Sequence, residues 1–279
     1  MQDRLHQGET RVRKAQFTLT APESKRLIGR AVKEHEWVKK ALKNGIVAIA
    51  LGSTNAFVAE EILGRKIKKE KYIAGFVDKR GTCVIPAPER LKSVVLEKGR
   101  IIKEDVEEVV KRMKNNDVFI KGANALDFEG TAGVMMASLI GGTIANVLGV
   151  IKARGIKLII PVGLEKLIPN SIDEVSKAAG IYEVSYSTGI PVGIMPVSGE
   201  VITEIEAFEI LAGVSAVSIG SGSIGNSACR TFLVEGEEKK VRKAIEIVES
   251  IKGEKEIKAL RGDCTTCVYA YCPLNKKDI

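Results

Sequence analysis

Aromatic residues are scarce. They make up 5% of 279 residues, and Trp37 is the only tryptophan. A platform that stacks single-stranded nucleic acid needs several exposed rings, so that class is disfavoured. Histidine is scarcer still: His6 and His35 leave no material for a multi-histidine metal site. Cysteine is odd in number, at five, and far below the density of a disulfide scaffold. The opening segment MQDRLHQGETRVRK lacks the apolar core of a secretory signal. A reducing, cytoplasmic setting is therefore expected, with cysteines acting as thiols or metal ligands. No Walker A lysine pattern occurs, and neither nucleotide hydrolysis nor standard dinucleotide binding is expected.

What is present suits a folded chain. Apolar residues at 45% and charged residues at 28% are ordinary for a globular protein, and the length supports a substantial core. The balance of 43 Lys+Arg against 35 Asp+Glu gives a net charge of +8. The charges are mixed, as in LGRKIKKEKY, VEEVVKRMKNND and GEKEIKALRG. Interspersed Lys and Glu read as a solvated, thermophile-like surface and not as a nucleic-acid footprint. A mild positive field would instead help to collect a small anionic ligand.

Strands and helices alternate along the chain. Thr20 with Glu23, and Ser171 with Glu174, have the spacing of capping boxes, and the first is expected to open a helix reaching about Leu42. Gly45–Leu51, Asp117–Ile120 and Lys157–Val162 are short continuous apolar runs, as in strands covered on both faces. Further strands are expected at Tyr72–Val77, Thr82–Ile85 and Ser93–Leu96, and a helix over Glu104–Lys114. Thr131–Ile151 carries no charge and is long enough to span a bilayer. Its Gly141-Gly142 pair and polar residues read better as strand, turn and helix, so no membrane segment is expected. From Ile190 the order becomes β-α-β-β-α, with a helix capped by Thr203 and Glu206.

Three glycine-containing loops fall where open α/β sheets place ligands, after strands or at helix starts: Gly52-Ser53-Thr54-Asn55, Lys121-Gly122-Ala123-Asn124, and Gly141-Gly142-Thr143. The segment IALGSTNAF resembles the strand–GSTN/GSTV–helix loop of ribose-5-phosphate isomerases. DVFIKGANALDFEGTAGVMMAS resembles their D-x-x-x-x-GA-x-x-x-D segment, and the GAD-x-x-x-NG segment of methylthioribose-1-phosphate isomerases. Both families belong to a broad superfamily with CoA transferases and glucosamine-6-phosphate deaminases. The resemblance implies that Gly52, Ser53, Thr54 and Asn55 hold a phosphate or similar anion. It implies too that Gly122, Ala123 and Asp127 border the reactive carbons. Asn124 stands where the isomerases have the first acid of this loop, and GTAGVMMAS does not match their K-x-G-G-G-x loop. Pentose-phosphate isomerisation itself is therefore not expected. Asp127 and Glu165 are the candidate catalytic carboxylates. Glu165-Lys166, after Pro161-Val162-Gly163 at another strand end, could supply charge, and a surface ion pair beginning a loop is the plainer reading. Glu200 could act as a covalent carboxylate of the CoA-transferase kind, although a solvated loop residue is the commoner case.

The tail carries the sharpest motif. Cys264-Thr-Thr-Cys267-Val-Tyr-Ala-Tyr-Cys272-Pro273 has the spacing C-x2-C-x4-C-P. Thiolates so spaced can share one centre, and a proline directly after a cysteine also occurs in ferredoxin cluster runs. A [4Fe–4S] cluster is expected, with Zn²⁺ as the alternative; a redox pair Cys264/Cys267 or structural thiols are the plainer readings. Cys83 is the better candidate for a fourth ligand and Cys229 the weaker; each could equally be a small buried hydrophobe. Without a fourth ligand, one iron would stay open as a Lewis acid.

The expected class is α/β: a mainly parallel sheet with helices on both faces, plus a small ferredoxin-like α+β module. The expected divisions are residues 1–182, 183–256 and the cysteine tail 257–279. The expected function is an iron–sulfur enzyme acting on a small phosphorylated or carboxylated metabolite. A ligand-sensing protein and an RNA-modification partner are the alternatives, and a homo-oligomer stays open.

Overall fold

Continuous apolar strands build the centre of the molecule. The computed structural model describes residues 12–223 and 228–275. Ile46–Ile49, Val118–Ile120 and Lys157–Pro161 are buried almost throughout. They run parallel, with Val47 opposite Val118 and Ile120 opposite Ile159. Glu200–Ile202 adds a fourth parallel strand beside Lys157–Pro161. Val94–Glu97 and Arg100–Ile102 extend the other edge in antiparallel fashion. The chain is thus α/β, and its six-stranded sheet is mixed. The antiparallel pairing of Val94–Glu97 with Arg100–Ile102 follows from the turn at Lys98 and Gly99, whose φ values are 47° and 75°. A two-residue connection of positive φ joins only antiparallel neighbours.

Helices cover the sheet. Ala21–Glu34 starts with a complete capping box: Thr20 N donates to Glu23 at 2.8 Å and Glu23 N to Thr20 Oγ1 at 3.4 Å. The expected single helix is two. His35 leaves helical geometry (ψ 136°), and its Nδ1 accepts from Trp37 N to cap Glu36–Asn44. Ala21–Glu34 crosses Ser53–Leu63 at Gly29, where a Cβ would stand 3.0 Å from the Phe57 carbonyl carbon. Arg26 fastens the same pair of helices. It reaches Glu60, Glu61 and Glu254, and its guanidinium lies 4.8 Å from the Phe57 ring centre.

The expected β-α-β-β-α module is divided among sheets. Gly193–Val197 pairs with Ala132–Met136 in a separate three-stranded sheet. Ser215–Ser223 and Ala228–Glu237 form a hairpin completed by Val12–Thr20, in register from Val12 opposite Glu237 to Thr20 opposite Cys229. That N-terminal strand alternates exposed and partly buried residues along VRKAQFTLT, and a partner more than two hundred residues away hides it from local pattern reading. Helices Glu204–Ala212 and Glu238–Ile251 pack on this sheet. The charge-free run resolves as strand Ala132–Met136, a left-handed Gly141 and helix Gly142–Arg154. Among the described residues no helix is long and apolar enough to cross a membrane.

Candidate functional site

The carboxyl ends of three parallel strands border one cleft of about 470 Å³. After Ile46–Ile49 come Gly52, Ser53 and Thr54; after Val118–Ile120 come Lys121, Gly122 and Asn124; after Lys157–Pro161 comes Lys166. Gly141, Gly142 and Thr143 close the side, so all three sequence-expected loops meet here. Helices Ser53–Leu63 and Gly142–Arg154 begin at the cleft behind glycine, without a side-chain cap. Their first N–H groups are the donors that a helix itself leaves unused. Asn55 lies behind the loop. Its Nδ2 donates to Ala50 O at 2.8 Å and Ile120 O at 3.3 Å, stapling two strand ends together. The Thr54 hydroxyl and Asn55 Oδ1 are buried and have no hydrogen-bond partner among the described residues, and Thr54 is only 1% exposed.

The charged residues that line the cleft are Lys121, Lys166, Arg90 and Glu107. Lys121 Nζ donates to Gly122 O at 3.0 Å, and Lys166 Nζ to Ala123 O at 2.7 Å. Among the described residues neither forms an ion pair with a carboxylate. Burial pushes the Lys121 amine down to about 8, and Lys166 adds repulsion. Burial also brings Lys166 down to about 8; Glu165 and Glu204 act in the opposite sense, and Lys25 reinforces the fall. An amine in this range is half neutral at about pH 8 and still mostly charged at neutral pH. It can hold an anion when charged and take a proton or add to a carbonyl when neutral.

The remaining site expectations fare differently. Asp127 does not line the cleft. Its Oδ1 accepts from Glu129 N and Thr131 N at 3.0 and 2.8 Å, and its Oδ2 from Ile172 N at 3.0 Å. Those bonds make it a lock on its own loop. Asn124 borders the cleft, but its Oδ1 is taken by Met135 N. Thr143 and Asn146 both donate to Glu107, an acid that sequence reading passed over. Glu165 faces a second cavity of about 340 Å³, which it shares with Glu204 and Arg230. There it lies 3.7 Å from Lys25, and Glu204 accepts from Leu164 N. Burial and neighbouring Glu165 push Glu204 up to about 7. Glu200 is an exposed strand residue 3.8 Å from His35. Gly220, Gly222 and Gly225 have the spacing G-x-G-x-x-G, with Gly225 outside the described residues. The first two lie in a strand of an antiparallel hairpin, without the strand–turn–helix context of a dinucleotide site.

The tail returns to the same cleft. Arg261 donates to Asp78 at 2.6 Å and lies 5.3 Å from the Phe76 ring centre, on the hairpin of Gly75–Asp78 and Gly81–Val84. The Tyr271 hydroxyl donates to Ala137 O. Cys83, Cys264, Cys267 and Cys272 all border a cavity of about 320 Å³. Cys83 and Tyr269 line both this cavity and the main cleft. None of the five cysteines is in a disulfide. Cys229 is apart from them, in the cavity of Glu165. Among the described residues no three Cys, His, Asp or Glu side chains are drawn around one point as a single ion requires. Sequence reading named Lys166 only together with Glu165, as a pair that could supply charge, and it missed Tyr269 inside the cysteine motif.

The chain matches no protein-family model, no curated protein and no solved structure.

Proposed function

We propose that this chain is an enzyme acting on a small phosphorylated or carboxylated metabolite, bound where the three parallel strands end. The observation that carries this reading is the pair Lys121 and Lys166, two partly buried amines that lack carboxylate partners. Burying a cation without a counter-charge is unfavourable, and a ligand anion would supply the counter-charge. The unpartnered Thr54 hydroxyl and the uncapped helix starts add neutral donors beside the lysines. The likeness of Gly52–Asn55 to a sugar-phosphate loop points the same way.

In this reading Ser53 and Thr54 hold the anionic end of the substrate. Lys121 and Lys166 neutralise it, and the amine that is neutral moves a proton or adds to a carbonyl. Asn55 positions the loop by its strand-end bonds. The C-terminal thiols carry a sulfur-ligated centre, an iron–sulfur cluster in preference to Zn²⁺. Cysteines kept out of disulfides suit a reducing, cytoplasmic setting. A thermal-shift screen of phosphorylated and carboxylated metabolites tests the cleft. Some members of the panel should stabilise the wild type and leave Lys121→Met unmoved, and proton NMR of those mixtures should show turnover. No shift with any compound would overturn the reading.

A further inference from the structure

We propose that Cys83, Cys264, Cys267 and Cys272 together ligate one [4Fe–4S] cluster that fastens the tail to the wall of the cleft. This rests on the cofactor reading above and sharpens it: it names the fourth ligand and assigns the centre a task.

Three observations carry it. Cys83 is remote in sequence from the motif, yet the fold sets it on the same cavity as the three motif thiols. The approach does not depend on a metal, because Arg261 holds Asp78 and Tyr271 holds Ala137. The motif has the chemistry of a sulfur-ligated centre: the four cysteines are among the residues that line a cavity of about 320 Å³. Soft thiolates select zinc, copper(I) or iron–sulfur centres, and the proline directly after Cys272 favours the last. Arg261 also borders this cavity.

A fourth thiolate has a chemical consequence. Each iron then carries one protein ligand, so none is open to substrate, and the centre is no Lewis acid for the reaction. Its work is mechanical. It ties hairpin to tail and so fixes Tyr269, which borders both cavities.

The test uses the full chain, purified anaerobically and reconstituted with ferrous iron and sulfide. Wild type and Cys229→Ala should each hold about four iron and four sulfide per chain, with the broad visible band of a cluster. Cys264→Ala should lose the cluster. Cys83→Ala should lose it or retain about three irons in an oxygen-labile form. Circular dichroism of each variant confirms folding. Cys83→Ala with wild-type iron content and spectrum would overturn the fourth ligand. One zinc per wild-type chain, or no metal at all, would overturn the cluster. Trypsin should cut the tail several-fold faster once the cluster is removed; equal rates would overturn the fastening role. Anion titrations of the same samples keep the two readings apart. Stabilisation by an anion without iron binding defeats this inference alone, and iron binding without anion stabilisation defeats the cleft alone.

Discussion

Arg26 is a buried cation and Lys121 and Lys166 are partly buried ones, and the fold treats the two sets in opposite ways. The Arg26 side chain is 5% exposed and meets three carboxylates: Glu254 and Glu61 at 2.8 and 2.9 Å, and Glu60 at 2.5 Å. Burial alone would raise Glu60 and Glu254, but their bonds to Arg26 hold both below the usual carboxylate range. The two lysines donate to backbone carbonyls, and their charges repel; Glu165 and Glu204 offset the burial of Lys166 only in part, and among the described residues no carboxylate offsets that of Lys121. Charge that joins helices is compensated by direct ion pairs. Charge at the strand ends is left short of such partners.

Breaking the compensated set should have the largest effect. Arg26→Met leaves Glu60, Glu61 and Glu254 without their shared partner, and chemical denaturation should show a loss of about 3–5 kcal/mol. Asp127→Ala is expected next, at about 2–3 kcal/mol, since three backbone N–H groups lose their acceptor. Its anion binding should be unchanged; lost binding with intact stability would return Asp127 to the site.

The lysines should behave in the opposite sense. Each has a folded value of about 8, below its ordinary value of about 10.4. Between these values the unfolded chain holds protons that the folded chain has released, so stability rises with pH across that window. Below pH 8 the folded chain carries the whole penalty. Lys121→Met should therefore stabilise the free protein at pH 7 by on the order of 1–3 kcal/mol, and the gain should fade by about pH 10.5. Anion affinity should run the other way, strongest below about pH 8 and falling above it as the amines lose charge. A flat profile would break the contrast with Arg26. The smallest change in stability is expected for Thr54→Val, within about 0.5 kcal/mol, because its hydroxyl has no partner in the free protein. Calorimetry should nevertheless show about tenfold weaker anion binding.

The sequence made parts of this legible for physical reasons. Capping pairs such as Thr20 with Glu23 and Thr203 with Glu206 act within one turn, and both open helices where expected. The glycine loops could be read because strand ends and helix starts leave a local mark, and all three line one cleft. Long-range geometry left none. Glu165 and Lys166 are adjacent, yet the tight turn Leu164–Lys166 sends them to different cavities. The partner of Val12–Thr20 lies near the far end of the chain, and the strand Arg100–Ile102 hides behind a lysine in left-handed geometry. Asp127 looked catalytic because a sequence cannot show which acceptors the backbone has already claimed.

The most direct test of the central contrast is a titration of the lysine side-chain amines by NMR, with and without sulfate, whose charge is constant over the range. Two amines, assigned by Lys121→Met and Lys166→Met, should titrate at about 8 in the free protein and move upward when sulfate binds. If every lysine titrates near its ordinary value of about 10.4, or if sulfate leaves the two unmoved, the strand ends do not form an anion site.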